Sequence, residues 1–221
     1  MATKRNTREG KTMAKVTTNQ NASLAPAISE LERVFNSMLY KFGKALANAK
    51  VIIAIQSRGR KKSTLGWYGN GLWDDSGTPT AEINICAESL DRPVLEVLET
   101  LVHEMVHAAN CADGIKDHSG NSYHNKAFRD RCHSVGLTCD KVDKHGWALT
   151  GLTPELAKEL KALKVNKKAF EMARLPMQKK KQPPRLIKLQ CPCCGYTVRT
   201  TAKWLATGLP SCPFGIELAQ V

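Results

Sequence analysis

The sequence predicts an α+β fold, helices packed on a short β-sheet, with a small cysteine-bearing module at the C-terminus. Three observations carry that prediction. Residues 27–47 and 91–111 repeat apolar side chains at helical spacing. Residues 51–56 and 81–86 have the β-branched content and alternation of strands. Four of the eight cysteines crowd into the last 31 residues. A chain of 221 residues has room for one core of ordinary size plus a small appendage.

Residues 1–25 carry Lys4, Arg5, Arg8, Lys11 and Lys15 against the single acid Glu9. With little to bury, this basic stretch is expected to be a disordered tail. No apolar segment follows its charges, so it does not read as a secretory signal. No apolar run approaches the ~20 residues that cross a bilayer, which argues against a membrane partner. Cysteines without a secretion signal imply a reducing, intracellular setting, with the C-terminal set held for metal. The net charge is +13, and the excess sits in the tails and a linker. That distribution favours a polyanionic partner, most simply nucleic acid.

A core domain is expected over residues 26–163. Its first helix, 27–47, lines up Leu31, Val34, Phe35, Met38, Leu39 and Phe42 on one stripe. Strand 51–56 follows, then a basic turn from Ser57 to Lys62. A returning strand spans 64–68, with a break at Gly69-Asn-Gly71. Residues 81–86 set Ala81, Ile83 and Ile85 against Glu82, Asn84 and Cys86. That pattern predicts a half-buried strand, which as an exposed edge would pair with an extended peptide. Helix 91–111, with Asp91 as cap and Pro93 in its first turn, is apolar nearly all round and therefore buried. Its exception is a polar stripe of Thr100, His103, Glu104 and His107, which would be costly to bury without partners. A helix over 125–135 should turn Phe128 and Cys132 inward, and a short one spans 154–163. Residues 164–188 hold nine Lys/Arg against Glu171 and include Pro183-Pro184, which reads as a flexible basic linker. The cysteine module occupies 189–221.

The polar stripe carries the chemistry. His103-Glu104-Met105-Val106-His107 has the H-E-x-x-H pattern. One helical turn apart, two neutral imidazoles can hold one Zn²⁺, and Glu104 is placed as general base toward a water activated there. A catalytic zinc takes a third protein ligand. The metzincin positions hold Asn110 and Asp113, which do not fit, and helix 125–135 offers only Asp130 as an acid. The remaining candidates are His118, His124 and His133. His124 is preferred because it opens a helix four residues before Phe128, which can anchor that helix. For an oxyanion stabiliser, Tyr123, His145 and Trp147 are candidates by proximity in sequence.

The order AEINIC, LETLVHEMVH, a polar loop, then YHNKAF resembles the SprT-like (Spartan-type) zinc metalloprotease family. The resemblance covers residues 28–152 and the cysteine tail. It implies a small zincin-like fold with His103, His107 and His124 on a catalytic zinc, Glu104 as general base and Phe128 as anchoring aromatic. It also implies DNA-dependent cleavage of proteins, notably those crosslinked to DNA. Tyr123 and Asn125 stand where the family has glycines flanking its third histidine.

In the tail, Cys191-Pro-Cys193-Cys194-Gly195 contains a C-x-x-C-G knuckle. Cys191, Cys194 and Cys212 are the expected ligands of a structural zinc. Gly215 stands where a ribbon would place its fourth cysteine, so Cys193 or an outside ligand must complete the set. Tyr196, Arg199, Lys203 and Trp204 suit backbone contact and base stacking on nucleic acid, although Trp204 would equally serve as the core of so small a module. Cys86 is expected to be a small strand residue near the site, and Cys111, Cys132 and Cys139 buried packing thiols. Two functions follow from different classes: a protease working on DNA-bound protein, or a zinc-stabilised DNA-binding adaptor with an idle site. Glu104 favours the first, because metal binding does not need it.

Overall fold

The computed structural model describes residues 22–58, 64–119, 123–175 and 185–221. It is a mixed α+β chain with small sheets, divided into Met1–Pro176 and Met177–Val221. The expectations for residues 1–21, for the end of the basic turn, and for Lys179-Lys-Lys181 and Pro183-Pro184 lie outside the described residues.

The first unit opens with α1 (Ala25–Met38), a 3₁₀ turn (Leu39–Lys41) and α2 (Gly43–Asn48). The sequence predicts one continuous helix here. Gly43, at φ +78°, breaks it, yet Phe42 and Leu46 stay buried on the stripe begun by Leu31, Val34 and Phe35. Strand β1 (Val51–Gln56), β2 (Gly66–Asp75) and β3 (Thr78–Cys86) form a sheet in the order β1-β3-β2. β1 runs parallel to β3, and β2 antiparallel. The expected break at Gly69–Gly71 is a register shift inside β2, which continues to Asp75.

β3 departs most from expectation. It is the central strand, not an edge, and residues 80–86 are all buried. Glu82 tolerates burial because it accepts hydrogen bonds from Trp73 Nε1 (2.7 Å) and Gln56 Nε2 (3.0 Å). The edges of this sheet, among the described residues, are β1 and β2.

Helix α3 (Val94–Ala112) crosses this sheet. Val97, Leu98, Leu101, Val102, Met105, Val106 and Ala109 are essentially inaccessible. Each of the Val, Leu and Met side chains among them stabilises the fold by about 1.5–3 kcal/mol relative to exposure. Asp91 makes no cap; the helix starts after Pro93, whose carbonyl accepts from Glu96 N. β2 packs on α3 because Gly66 permits it. A Cβ there would lie 2.8 Å from Asn84 O, 2.9 Å from Thr100 Cγ2 and 3.2 Å from Glu104 Cγ.

After α3 come two short strands, β4 (His118–Ser119) and β5 (Tyr123–His124), then α4 (Lys126–Val135). A hairpin that the sequence reading did not foresee follows: β6 (Leu137–Val142) and β7 (Gly146–Leu152). These strands form a second sheet in the order β4-β5-β7-β6. Helix α5 (Pro154–Ala162) is capped by Thr153. The first part of the expected linker, residues 164–175, is packed on the first unit. A 3₁₀ turn (Lys167–Phe170) buries Phe170, with Val165 and Ala169 against the main core, and Arg174 N donates to Ala87 O.

The second unit is a three-stranded sheet of β8 (Ile187–Gln190), β9 (Thr197–Thr200) and β10 (Ala219–Gln220), in the order β10-β8-β9, with one helical turn α6 (Ala202–Leu205). Its core is Leu189, Cys191, Cys212 and Leu218, with Ile187, Val198 and Leu205 packed against them. Trp204 is 61% exposed, so it is not that core. Among the described residues no helix is long and apolar enough to cross a membrane.

Candidate functional site

His103 and His107 project from α3 one turn apart, and His124 reaches them from β5. One ligand atom from each lies within 4.8 Å of the others, a grouping able to hold a metal ion. All three rings rest on the fully buried Phe128 of α4. Its ring centroid is 4.8 Å from that of His103 and 4.5 Å from those of His107 and His124. The inward Phe128 of the sequence reading is therefore the floor of the site.

The outer nitrogens decide which atoms face inward. His107 Nδ1 lies 2.8 Å from Asp117 Oδ2, and His103 Nδ1 lies 3.1 Å from Thr150 Oγ1. Thr150 Oγ1 itself donates to Glu99 Oε1 at 3.0 Å, so it accepts from His103. His124 Nδ1 lies 3.4 Å from the His145 carbonyl. Each Nδ1–H thus has an acceptor, which leaves a lone pair on each Nε2. His107 Nε2 and His124 Nε2 are only 3.1 Å apart. Lone pairs held this close are unfavourable unless a cation or proton sits between them. Burial, then the neighbouring imidazoles, keeps His103 far below the ordinary histidine range and draws His124 down to about 4. Both rings are therefore neutral, the form that ligates metal.

His124 is placed by backbone. Its N–H donates to His145 O at 2.9 Å, and it pairs with Gly146 of β7. Gly146 has φ +68°, and a Cβ there would meet His124 O at 2.2 Å and the Tyr123 ring at 2.9 Å. Only glycine allows this approach. The two positions without flanking glycines are explained in turn. Tyr123 lays its ring against Gly146. Asn125 caps α4, its Oδ1 accepting from Ala127 N (2.8 Å) and Phe128 N (3.2 Å).

Glu104 is buried, with its carboxylate at the amide of Tyr68 in β2. Burial pushes it up to about 7, and the neighbouring His107 ring and the Tyr68 amide offset that only in part. Asp117, also buried, accepts from Asn110 Nδ2 (3.0 Å) and lies 2.8 Å from His118 Nδ1 as well as from His107. Burial works against its charge, but the His107, Asn110 and His118 bonds outweigh that and hold the carboxyl well below the usual range. His118, another candidate for third ligand, is exposed and spends Nδ1 on Asp117. With Asp117 and His107 it forms a further group of possible ligands. His133 belongs to no such group among the described residues. Of the oxyanion candidates, Trp147 stacks under Arg129, and His145 contributes its carbonyl to His124.

Asp117 and Thr150 were missed in the sequence. Asp117 lies in a polar loop with no periodic signal. Thr150 lies in the unforeseen hairpin, 47 residues from the histidine that it touches.

In the second unit Cys191, Cys193, Cys194 and Cys212 bring their sulfurs within 4.8 Å of one another, and this cluster can hold a metal ion. The fourth thiol is Cys193, whose Sγ is 3.1 Å from Cys191 Sγ and 4.0 Å from Cys212 Sγ. Gly215, at φ +80°, makes the turn after Cys212 instead of offering a ligand. Desolvation opposes a thiolate at Cys191, but the Cys193 thiol and nearby amides outweigh it and draw Cys191 down to about 6. All eight cysteines are free. Cys132 and Cys139 are buried as expected, Cys86 is buried in β3, and Cys111 is partly exposed.

Compared with protein-family models, curated proteins and solved structures, the chain finds no match.

Proposed function

We propose that this chain is a zinc-dependent metallopeptidase with a SprT-like, zincin-type domain, acting on proteins bound or crosslinked to DNA. One observation carries the proposal. Three imidazoles have every Nδ1 engaged on an outside acceptor and turn their remaining nitrogens to one place, next to a buried carboxylate that metal binding does not require.

Three imidazoles, each with Nδ1 engaged outside the cluster, are a donor set that suits catalytic Zn²⁺. Such an ion would supply Lewis acidity toward a peptide carbonyl and would acidify water. Glu104, raised to about 7 by burial, is suited to accept one proton and return it near neutral pH. Phe128 and the Nδ1 acceptors hold the rings in place.

β2 is suited to hold the substrate. Cys86 N donates to Leu65 O, so in the β2–β3 ladder Gly66 and Tyr68 turn their main-chain groups away from β3, the Tyr68 amide toward Glu104. An extended peptide adding to this edge would lie beside Glu104, bound mainly by backbone and with weak side-chain selectivity.

Support for a DNA partner comes from the charge of +13 and from the second unit. Trp204 is exposed with the Lys203 ammonium 5.6 Å from its ring centre, and Tyr196 and Phe214 are exposed as well. Cations interleaved with open aromatic faces suit stacking on unpaired bases without sequence readout. The cysteine cluster would take a second, structural zinc. Free thiols throughout fit a reducing, intracellular setting.

The test compares wild type with Glu104→Gln. Both should bind zinc and DNA, and only wild type should show DNA-stimulated cleavage of itself or of a DNA-bound protein. Equal cleavage by both, or none by wild type, would leave a zinc-stabilised DNA-binding adaptor as the better reading.

A further inference from the structure

We propose that Asp117 is the positioning residue of the histidine site, selecting the His107 tautomer that presents Nε2 to a metal ion. The inference rests on the reading of that site as a metal centre and adds to it a residue outside the H-E-x-x-H motif.

The geometry is specific. Asp117 Oδ2 lies 2.8 Å from His107 Nδ1, and the residue is 4% exposed. A carboxylate accepts and does not donate, so this bond requires the proton on Nδ1 and the lone pair on Nε2. Nε2 is the atom that lies 3.1 Å from His124 Nε2. Without Asp117, neutral imidazole in water distributes its proton between both nitrogens and rotates about χ2. Metal-ligating histidines commonly donate their outer N–H to such an acceptor, and the acceptor also strengthens the ligand.

Asp117 is itself fixed from two further directions. Asn110 Nδ2 donates to the same Oδ2 at 3.0 Å, one turn beyond His107 on α3. His118 Nδ1 meets Oδ1 at 2.8 Å. The backbone is fixed as well, because Asn125 N donates to Asp117 O at 2.9 Å. Asn125 also caps α4, whose Phe128 forms the floor under the three rings. Asp117 thus links the second ligand and the helix that carries it through its carboxylate, and the segment that delivers the third through its backbone carbonyl. His103 has a weaker counterpart, since Thr150 is an uncharged hydroxyl relayed to Glu99. A charged acceptor forms the stronger bond, so the site should depend more on Asp117 than on Thr150.

The test uses the full chain with Co²⁺ as probe. The histidine site gives d–d absorption without the sulfur-to-metal charge-transfer band of the cysteine cluster, so both sites are read in one titration. Asp117→Ala should weaken Co²⁺ binding at the histidine site by about ten- to a hundredfold and leave the thiolate band unchanged. Asp117→Asn keeps an oxygen able to accept from Nδ1–H, so it should recover part of that loss. His118→Ala should leave the affinity close to that of wild type. Wild-type affinity in Asp117→Ala would overturn the inference. So would a loss in His118→Ala equal to that in Asp117→Ala, since the carboxylate would then act only by pinning the loop. If Asp117→Ala does not fold, Asp117→Asn decides: an affinity and d–d spectrum unchanged from His118→Ala would overturn the inference, and an intermediate affinity would support it. Wild type with no histidine-site band, matching His103→Ala, would instead overturn the metal-centre reading and this inference with it.

Discussion

Replacing Phe128 by alanine tests whether core and site share one support. The ring is fully buried and touches all three imidazoles, with centroid separations of 4.5–4.8 Å. Removing a buried Phe side chain costs about 3–5 kcal/mol, because transfer energy is lost and a cavity remains. For a domain of this size that corresponds to a drop of roughly 6–20 °C in Tm. The assay is thermal unfolding of zinc-stripped protein by circular dichroism, repeated with a fixed excess of zinc. Rings without a floor should bind zinc more weakly, and each tenfold loss of affinity removes about 1.4 kcal/mol of zinc-induced stabilisation. The variant should therefore melt early without metal and also gain less from zinc. Phe128→Leu should recover most of the stability and less of the zinc response, because volume returns but the flat face does not. A metal-free Tm within about 2 °C of wild type would refute the packing argument. A large drop with an unchanged zinc response would refute the role as floor.

Three other predictions follow from the same contacts. In metal-free protein, burial raises Glu104 from its ordinary value of 4.5 to about 7. A carboxyl raised on folding stabilises below its unfolded value and loses that contribution as pH rises through the folded one. Glu104→Gln should thus gain on wild type between pH 4.5 and pH 7, by up to roughly 3 kcal/mol, and parallel pH–stability curves would contradict this. Gly66→Ala should cost about 1–3 kcal/mol by overpacking and should reduce cleavage at unchanged zinc content, since the new Cβ presses on Glu104 Cγ; unaltered stability in a denaturant titration would sink it. Cys193→Ser should lower the thiolate charge-transfer intensity of the Co²⁺-loaded second unit by roughly a quarter, and an unchanged band would remove Cys193 from the ligand set.

Helix α3 and its two histidines were legible because their signal is local: apolar residues all round one helix, interrupted by a polar stripe. Phe128 and Cys132 were legible for the same reason. What the sequence hid depends on distant partners. Glu82 and Asn84 in β3 read as an outward face, yet Trp73 and Gln56 satisfy Glu82 from neighbouring strands and the strand goes to the centre of its sheet. The hairpin β6–β7 was missed, and with it Thr150 on His103 and the Gly146 that lets His124 approach. Asp117 carries no sequence signal, because its importance lies in what folds onto it. Trp204 reads two ways in the sequence, as stacking face or small core; Leu189, Leu218 and two cysteines form the core and Trp204 is exposed.

The central claim is that His103, His107 and His124 together hold one zinc ion. Metal content of the full chain after zinc loading and desalting tests it directly, with wild type measured beside His124→Ala. The variant should carry about one equivalent less zinc than wild type and keep what the cysteine cluster binds. Equal zinc in the two proteins would contradict the claim.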